Sequence, residues 1–316
     1  MTVIEEQVAP ARPAVPRGRG RVRRLTARDR LVLFLMIGVP FVLHVAFIWV
    51  PTLSSIGLSF TSWDGIGGLS TIKWVGLQNY DQIFSIYPPF WPALRHNLIW
   101  LVFLVLIPTT FGIFLAVVID RQARYTRFYQ SAFYLPVMLS LALLGFITQL
   151  LYSQDQGLVN AVLGNSGPGS PDWLGNPKLN LWAALSVVGW RHTGYIMVLY
   201  LAGLKSVDPS LRDAAAVDGA TPWQTFFRVV FPVMKPINIV VLVVTVIDAL
   251  RAYDIVVVIN NGRNGLELLS VLVTDNIIGE ASRIGYGSAL GVILLVIALG
   301  FIITYLVQTF RREAWR

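Results

Sequence analysis

Charged residues that interrupt long apolar segments are the groups in this 316-residue chain whose chemistry stands out. Asp248, Arg251 and Asp254 follow one another at three-residue intervals, so neighbouring members would lie close on a helix surface and could form ion pairs. Arg191 lies in the preceding apolar segment at about 20 Å from its end, close to the depth of Asp248, by a rise of ~1.5 Å per residue. Ionisable groups at such depth usually face a bundle interior or a wet cavity, because exposure to lipid costs at least about 2.5 kcal/mol.

Two interpretations of these charges stay open. In one, Arg191 and Asp248 border a polar path across the membrane in its outer half, with Trp190 and Tyr195 as aromatic platforms and Arg251 as a further polar group. In the other, Asp248 and Arg251 neutralise each other as a structural pair while Arg191 extends to the outer surface. The sequence alone does not choose between them.

Catalytic chemistry is not indicated anywhere in the chain. The three histidines at positions 44, 96 and 192 are scattered, there is no cysteine, and no carboxylate pair in a polar loop has a histidine or lysine partner. The stretch Gly203–Ser206 lacks the upstream glycine and the spacing of a phosphate-binding loop. We therefore expect no catalytic residue, no metal and no cofactor in this chain, so that any ATP is bound by a partner subunit.

The composition predicts an integral membrane protein, because 55% of the residues are hydrophobic and 13% are charged, against about 25% charged in soluble domains. Six windows are apolar and long enough to cross ~30 Å of hydrocarbon, near residues 31–55, 96–119, 128–153, 180–204, 236–258 and 286–310. Residues 1–30, with eight arginines, are interpreted as a disordered basic cytoplasmic tail before a transmembrane domain at 31–316. A secretory signal peptide is the rival interpretation, but the apolar run Leu31–Val50 is too long for one.

The distribution of lysine and arginine predicts the orientation. With the N-terminus inside, the cytoplasmic side holds eighteen of these residues and the outer side five. The positive-inside rule then places both termini, and the polar loop at 205–235, in the cytoplasm. The formal charge of +8 is thereby explained by topology, and we expect no nucleic-acid partner.

The loop between the fourth and fifth apolar windows carries signals for a folded structure. Asp208-Pro209 is an N-cap followed by proline at the first helical position, and Asp218-Gly219 supplies a left-handed helix end. Thr221–Gln224 is a capping box with proline at its first helical position, and Phe231-Pro232 ends the second helix. They predict a short helix-turn-helix on the membrane surface. The small residues Ala214–Ala216 would give it a face that another protein's backbone can approach closely.

Part of this loop, Asp213–Ala220 with Phe231-Pro232 beyond it, resembles the EAA loop of ABC-importer permeases, specifically the maltose-type sugar permeases. Trp74–Tyr80 and Gln156–Asn160 are similar to the first of the two permease subunits in that family. Leu135-Pro136, Asp248–Asp254 and Gly285–Ala289 are similar to a proline position, the fifth helix and the start of the sixth helix of these permeases. Two departures stand out. Asp213 replaces the family's glutamate, and Ile259–Gly265 replaces a Thr-Gly-Gly-Gly-Pro turn.

The resemblance implies an all-α integral membrane protein with six transmembrane helices and the ABC importer type I permease fold, located in the plasma (inner) membrane. It implies ATP-driven, binding-protein-dependent import of a sugar or sugar-like solute by alternating access. The implied partners are a second permease subunit, an ATP-binding subunit dimer, an extracytoplasmic solute-binding protein or lipoprotein, and membrane lipid. The implied docking residues for the ATPase are Asp213, Ala214, Ala215, Asp218, Gly219, Ala220 and Pro232. The residues predicted for the substrate path, from their charge, aromatic character and depth, are Trp190, Arg191, Tyr195, Asp248 and Arg251.

Three other classes are weighed against this interpretation. An ABC permease for a non-sugar solute would share every motif above. A secondary transporter would need internal inverted repeats and would not need the polar loop. A membrane-embedded glycosyl-transfer or lipid-modifying enzyme would need a carboxylate pair or a metal-binding triad on one face, and the sequence offers neither.

Overall fold

The structure is a computed structural model that describes residues 26–121, 125–165, 167, 169–279 and 282–314. The regular structure within these ranges is helical, and an isolated antiparallel bridge pairs Thr61 with Trp74. The chain divides into two compact units, Met1–Thr52 and Leu53–Arg316.

The first unit is built on a helix that begins earlier than the sequence predicts. Helix α1 (Ala27–His44) starts at a capping box in which Thr26 N donates to Asp29 Oδ2 at 2.9 Å and Asp29 N donates to Thr26 Oγ1 at 3.2 Å. It runs through a π turn at Val45–Trp49 into α2 (Val50–Leu58). Residues 27–30 of the predicted tail are therefore helical, and its first 25 residues lie outside the described part of the chain.

The second unit contains the remaining helices. In chain order they are α3 (Gln78–Ser85), α4 (Phe90–Leu106), α5 (Pro108–Arg121), α6 (Thr126–Tyr134), α7 (Leu141–Leu151), α8 (Leu158–Val162), α9 (Asn180–Ser206), α10 (Pro209–Val217), α11 (Pro222–Thr225), α12 (Phe231–Val233), α13 (Lys235–Leu250), α14 (Asp254–Asn260), α15 (Leu269–Ile277) and α16 (Ile284–Ala314). The predicted all-α class is confirmed in the described residues.

Three of the six predicted spans are continuous helical stretches that are long and apolar enough to cross a membrane, at residues 27–58, 90–121 and 284–311. Two more are bent pairs, one at 126–151 with a 96° bend and one at 222–260 with a 77° bend. Helix α9 covers the remaining prediction at 180–204 and is long enough at 27 residues, since about 20 suffice. Its centre is polar, so it is less apolar than the other spans, and the count of six rests on its length and position.

Burial explains why α9 tolerates that polar centre. Seventeen of its 27 residues are buried, so the helix lies inside the unit and little of it faces lipid. Glycines allow the close approach: a Cβ at Gly112 of α5 would lie 2.8 Å from the Thr193 carbonyl oxygen, and one at Gly194 would collide with the Phe133 carbonyl. Helices α4, α5, α6, α7 and α13 all pack against α9, whereas α16 packs against α3, α13 and α15.

Two of the motifs that carry the family resemblance are structural anchors in the loops. Asn79 Nδ2 donates to the carbonyl oxygens of Ser59 and Thr61, each at 2.8 Å. Asn160 is 1% exposed, and its Nδ2 donates to the Gln154 carbonyl at 2.9 Å. Buried amides of this kind fix loop geometry because a lost partner leaves an unsatisfied polar group.

Candidate functional site

Two regions of the second unit bring functional side chains together: the polar segment 208–233 and a cavity between α9 and α13. In the segment, Asp208 Oδ1 accepts a hydrogen bond from Ser210 N at 2.9 Å, which confirms the predicted N-cap. This backbone hydrogen bond holds the pKa of the Asp208 carboxyl below its ordinary value. Helix α10 follows with Pro209 at its first position.

Helix α10 ends in the left-handed turn that the sequence predicts. Gly219 has φ +75°, and the amides of Gly219 and Ala220 donate to the carbonyls of Ala216 and Ala215 at 3.1 and 3.0 Å. This is a Schellman motif, which requires the positive φ that glycine adopts without strain. The turn therefore sets the angle between α10 and α11.

The second half of the segment also follows its local signals. Thr221 N donates to Gln224 Oε1 at 2.8 Å, and Gln224 N donates to Thr221 Oγ1 at 3.4 Å, which confirms the capping box. The helix continues through a π turn at Phe226–Val230 and ends after Val233, one residue past the predicted proline stop. Helix α13 starts directly afterwards at Lys235, so the polar segment is tied closely to a membrane span.

The exposed face of α10 differs from the predicted one. Asp213, Ala214 and Asp218 are exposed, and Val217 is 89% exposed. Ala215, predicted to face a partner, is 7% exposed and packs inward, because at about 100° per residue it is the position of this stretch that points toward the rest of the unit. The prediction for Ala215 as a docking residue is therefore corrected.

The segment is held to α5 by an ion pair that the sequence analysis missed. Arg212 Nη1 donates to Asp120 Oδ2 at 2.8 Å, and Arg212 Nη2 donates to the Leu204 carbonyl at 2.9 Å. A cavity of about 310 Å³ lies beside the pair, lined in part by Arg121, Ala216 and Ala220. Asp120 and Arg212 are 92 residues apart, and no local pattern links them.

Breaking this ion pair is expected to loosen α10. Asp120→Asn removes the anionic partner of Arg212. A hydrogen bond to a charged group contributes about 1.5–3 kcal/mol when it is shielded from solvent, and Asp120 is shielded because its side chain is 15% exposed. Hydrogen exchange of the α10 amides should then accelerate by about 10- to 100-fold, since ~1.4 kcal/mol is tenfold. The exposed Asp155→Asn is the control, and the swap of Asp120→Arg with Arg212→Asp should restore protection. Unchanged exchange in Asp120→Asn contradicts the anchoring role.

The second region is a polar cavity of about 260 Å³. Its lining includes four charged side chains and a histidine, Arg191, His192, Asp248, Arg251 and Asp254. The structure thus brings together three of the predicted path residues, Arg191, Asp248 and Arg251. Trp190 is 47% exposed and is not among the lining residues, and neither is Tyr195. The ring of Tyr195 instead lies 6.3 Å from the ring of His192.

The titratable side chain within 4 Å of Asp248 is one that the sequence analysis did not use. His192 Nδ1 lies 3.7 Å from Asp248 Oδ2, and His192 Nε2 lies 3.1 Å from Thr245 Oγ1. The Thr245 hydroxyl donates to the Val241 carbonyl at 2.8 Å, so Nε2 must be the donor toward Thr245. In a neutral ring Nδ1 then carries no proton, so its lone pair faces the Asp248 carboxyl. The contact is attractive only if His192 or Asp248 is protonated. The sequence signal for this contact was Thr245, because a polar residue three positions before Asp248 lies on the same face of the helix.

Arg191 does not follow the second interpretation, in which it extends to the outer surface. Its Nε is buried and has no hydrogen-bond partner among the described residues, and the side chain lines the cavity. A buried guanidinium nitrogen needs an acceptor, since leaving one unmade is costly. Arg191 is therefore held inside the unit beside the cavity, with one donor that no described residue satisfies.

The helix predicted at 236–258 is broken at this cavity. Helix α13 ends at Leu250, Arg251 caps it, and α14 begins at Asp254. Two carbonyls at the break have side-chain donors, because Asn97 Nδ2 donates to the Ala249 oxygen at 3.2 Å and Ser270 Oγ donates to the Ala252 oxygen at 2.5 Å. The prediction of three charges along one continuous helix is wrong, although all three still line one cavity.

Comparison with known proteins defines the class. Residues 108–316 match the family described as binding-protein-dependent transport system inner membrane component. A xylose/arabinose import permease of Haloferax volcanii is 32% identical over 284 residues, which is 87% of each chain. The chain belongs to this family of ABC transporter permeases, and the predicted family is confirmed.

Two further comparisons extend this result. A permease for uptake of osmoprotective compounds from Synechocystis sp. is 31% identical and covers 82% of this chain and 92% of its own. A trehalose/maltose permease of Thermococcus litoralis is 27% identical, with 92% and 98% covered. The crystal structure of a bacterial ABC transporter involved in alginate import superposes with a TM-score of 0.75 at 22% identity, covering 90% of this chain and 96% of that one. The ABC importer type I permease fold is thereby confirmed.

Proposed function

We propose that this chain is the permease subunit of an ATP-driven, binding-protein-dependent importer of a sugar or sugar-like solute. The observation that carries the proposal is agreement between the family match and relatives of nearly full-length overlap whose names specify xylose/arabinose and trehalose/maltose transport. The chain crosses the inner membrane with both termini in the cytoplasm, as the excess of lysine and arginine on that side supports.

The proposed assembly has four kinds of subunit. A second permease completes the solute path, a pair of ATP-binding subunits hydrolyses ATP, and an extracytoplasmic solute-binding protein delivers the solute. A relative of the same fold has been crystallised as an alginate transporter in complex with its periplasmic protein, which supports the last of these partners. This chain itself carries no cofactor in the proposal.

The proposed contact with the ATP-binding pair is the exposed face of α10 with the turn behind it. Asp213, Ala214 and Asp218 provide two carboxylates around a small side chain, and Val217 adds an exposed apolar group. Gly219 and Ala220 set the direction of α10, and Pro232 lies where the segment meets α13. Arg212 connects the segment to Asp120 of α5 and to the Leu204 carbonyl of α9, so a movement of α10 is transmitted to both helices.

The proposed solute path runs past the polar cavity. Arg191, Asp248 and Arg251 offer charged donors and acceptors, and His192 adds a ring to the same wall. Charged groups make strong hydrogen bonds to hydroxyls, which suits a solute with many hydroxyl groups. Trp190 and Tyr195 stay in the proposal only as flanking aromatics, since the cavity lining excludes both.

A second candidate is an ABC permease for a non-sugar solute. The relative named for osmoprotective compounds, at 31% identity, favours it. Both candidates share the assembly and the mechanism, so the solute itself decides between them.

Co-expression tests the assembly and the solute together. The chain is produced with the second permease, ATP-binding subunit and binding protein encoded beside it, and uptake into liposomes is measured with labelled pentoses, maltose and an osmolyte. We expect ATP-dependent uptake of one sugar only when all four components are present. Transport by this chain alone, or only as a homodimer, contradicts the proposal.

A further inference from the structure

The cavity between the end of α5 and the segment 208–233 has chemistry that the proposed function does not use. Its volume is about 310 Å³. Its lining combines the apolar side chains of Val117, Leu204, Phe226 and Val230 with the charged side chains of Asp120, Arg121 and Arg212. A cavity with both apolar and charged lining suits an amphiphile better than a small inorganic ion.

The charged side chains that line the cavity, Asp120, Arg121 and Arg212, do not balance one another. Asp120 is engaged by Arg212 at 2.8 Å, which leaves the charge of Arg121 uncompensated within the cavity. Arg121 is exposed, and its hydrogen bond to the described residues is a long one, from Nη2 to the Pro222 carbonyl at 3.4 Å, which is weak by hydrogen-bond criteria. The cavity thus carries a net positive charge beside an apolar surface.

A second guanidinium lines the same cavity. Arg212 uses one N–H of Nη1 for Asp120 and one of Nη2 for the Leu204 carbonyl, and each of these nitrogens carries a second N–H. Guanidinium groups match the oxygens of phosphate because their planar forks can donate two bonds at once.

We propose that this cavity binds a phosphate group carried on an anionic amphiphile, with Arg121 and Arg212 as its ligands. The amphiphile is an anionic phospholipid, and a soluble phosphate ester with the same glycerophosphate chemistry is the alternative source that the test distinguishes. Basic pockets between membrane helices on the cytoplasmic side bind such headgroups, and the lipid source rests on the cytoplasmic placement in the proposed function. A ligand here touches both α5 and Ala216 of α10, so its occupancy regulates how firmly the segment is held.

The test uses binding, so it does not depend on transport. The full-length chain is purified in detergent with the subunits that accompany it, and retained ligand is measured by native mass spectrometry during titration with phosphatidylglycerol, phosphatidylcholine or soluble glycerophosphate. We expect saturable binding of phosphatidylglycerol and none of phosphatidylcholine. Binding of glycerophosphate at comparable affinity assigns the site to a soluble ester instead.

Three variants locate the site. Arg121→Gln should weaken binding by about tenfold, because one charge-assisted hydrogen bond is lost, and it leaves the Asp120–Arg212 pair intact. Ala216→Leu should abolish binding by filling the cavity without changing its charge. Arg228→Gln, an exposed arginine of the same segment outside the cavity lining, should bind like the wild type. Equal binding by all four proteins, or none by the wild type, overturns the proposal.

Discussion

Gly219→Val is expected to abolish coupled transport while leaving the protein in the membrane. Gly219 has φ +75°, a conformation that costs a side-chain-bearing residue about 1–2 kcal/mol and a β-branched residue more. A Cβ there meets nothing within 4 Å, so the damage comes from backbone strain and not from a clash. The Schellman turn should then re-form with α10 in a different direction, and solute uptake should fall at least about tenfold, the effect of ~1.4 kcal/mol.

Two controls separate strain from other effects. Gly219→Asn should retain most of the uptake, because asparagine tolerates the left-handed region. Gly164→Val introduces the same strain at φ +71° in a different loop, again with nothing within 4 Å of the added Cβ, and should leave uptake unchanged. Membrane abundance and ATP hydrolysis are measured beside uptake. Wild-type uptake by a well-expressed Gly219→Val protein would sink the proposed role of the turn.

Neutralising the polar cavity is expected to reduce uptake strongly. Arg191→Gln and Asp248→Asn each remove a charged hydrogen-bonding group worth about 1.5–3 kcal/mol, which corresponds to roughly 10- to 100-fold in uptake at low solute concentration. Asparagine at 248 can still donate to His192 Nδ1, which lies 3.7 Å from the carboxylate, so the packing should survive. The double mutant should lose less than the sum of the two singles, because both groups line one cavity.

The matched control for this cycle is Arg263→Gln, which changes an exposed arginine of the loop between α14 and α15. It should transport like the wild type. If Arg191→Gln and Asp248→Asn both express normally and transport with wild-type affinity and rate, these residues do not border the path. Low abundance of both single mutants, rescued in the double mutant, instead supports a structural pair.

The features that sequence reasoning predicted correctly depend on contacts within a few residues. The caps at Asp208 and Thr221 and the turn at Gly219 are fixed by hydrogen bonds over two to five residues, so residue type and spacing suffice. The apolar windows at 31–55 and 286–310 were also recognisable, since length and composition define a span.

The features that it missed depend on pairs distant in the chain. Pairing of His192 with Asp248 requires the relative rotation of α9 and α13, which neither sequence segment specifies. The break after Leu250 requires a donor from Asn97, more than 150 residues earlier. The burial of Ala215 depends on which face of α10 packs inward, and three successive alanines give no indication of it.

The break between α13 and α14 also constrains the order in which the chain can complete its fold during synthesis. When residues 235–260 enter the bilayer, Asn97 has already been made and can serve the Ala249 carbonyl, but Ser270 has not yet been synthesised. An unsatisfied carbonyl in hydrocarbon costs several kcal/mol. We therefore expect the break to be stable only after α15 has been made, because only then does the Ala252 carbonyl have its side-chain donor.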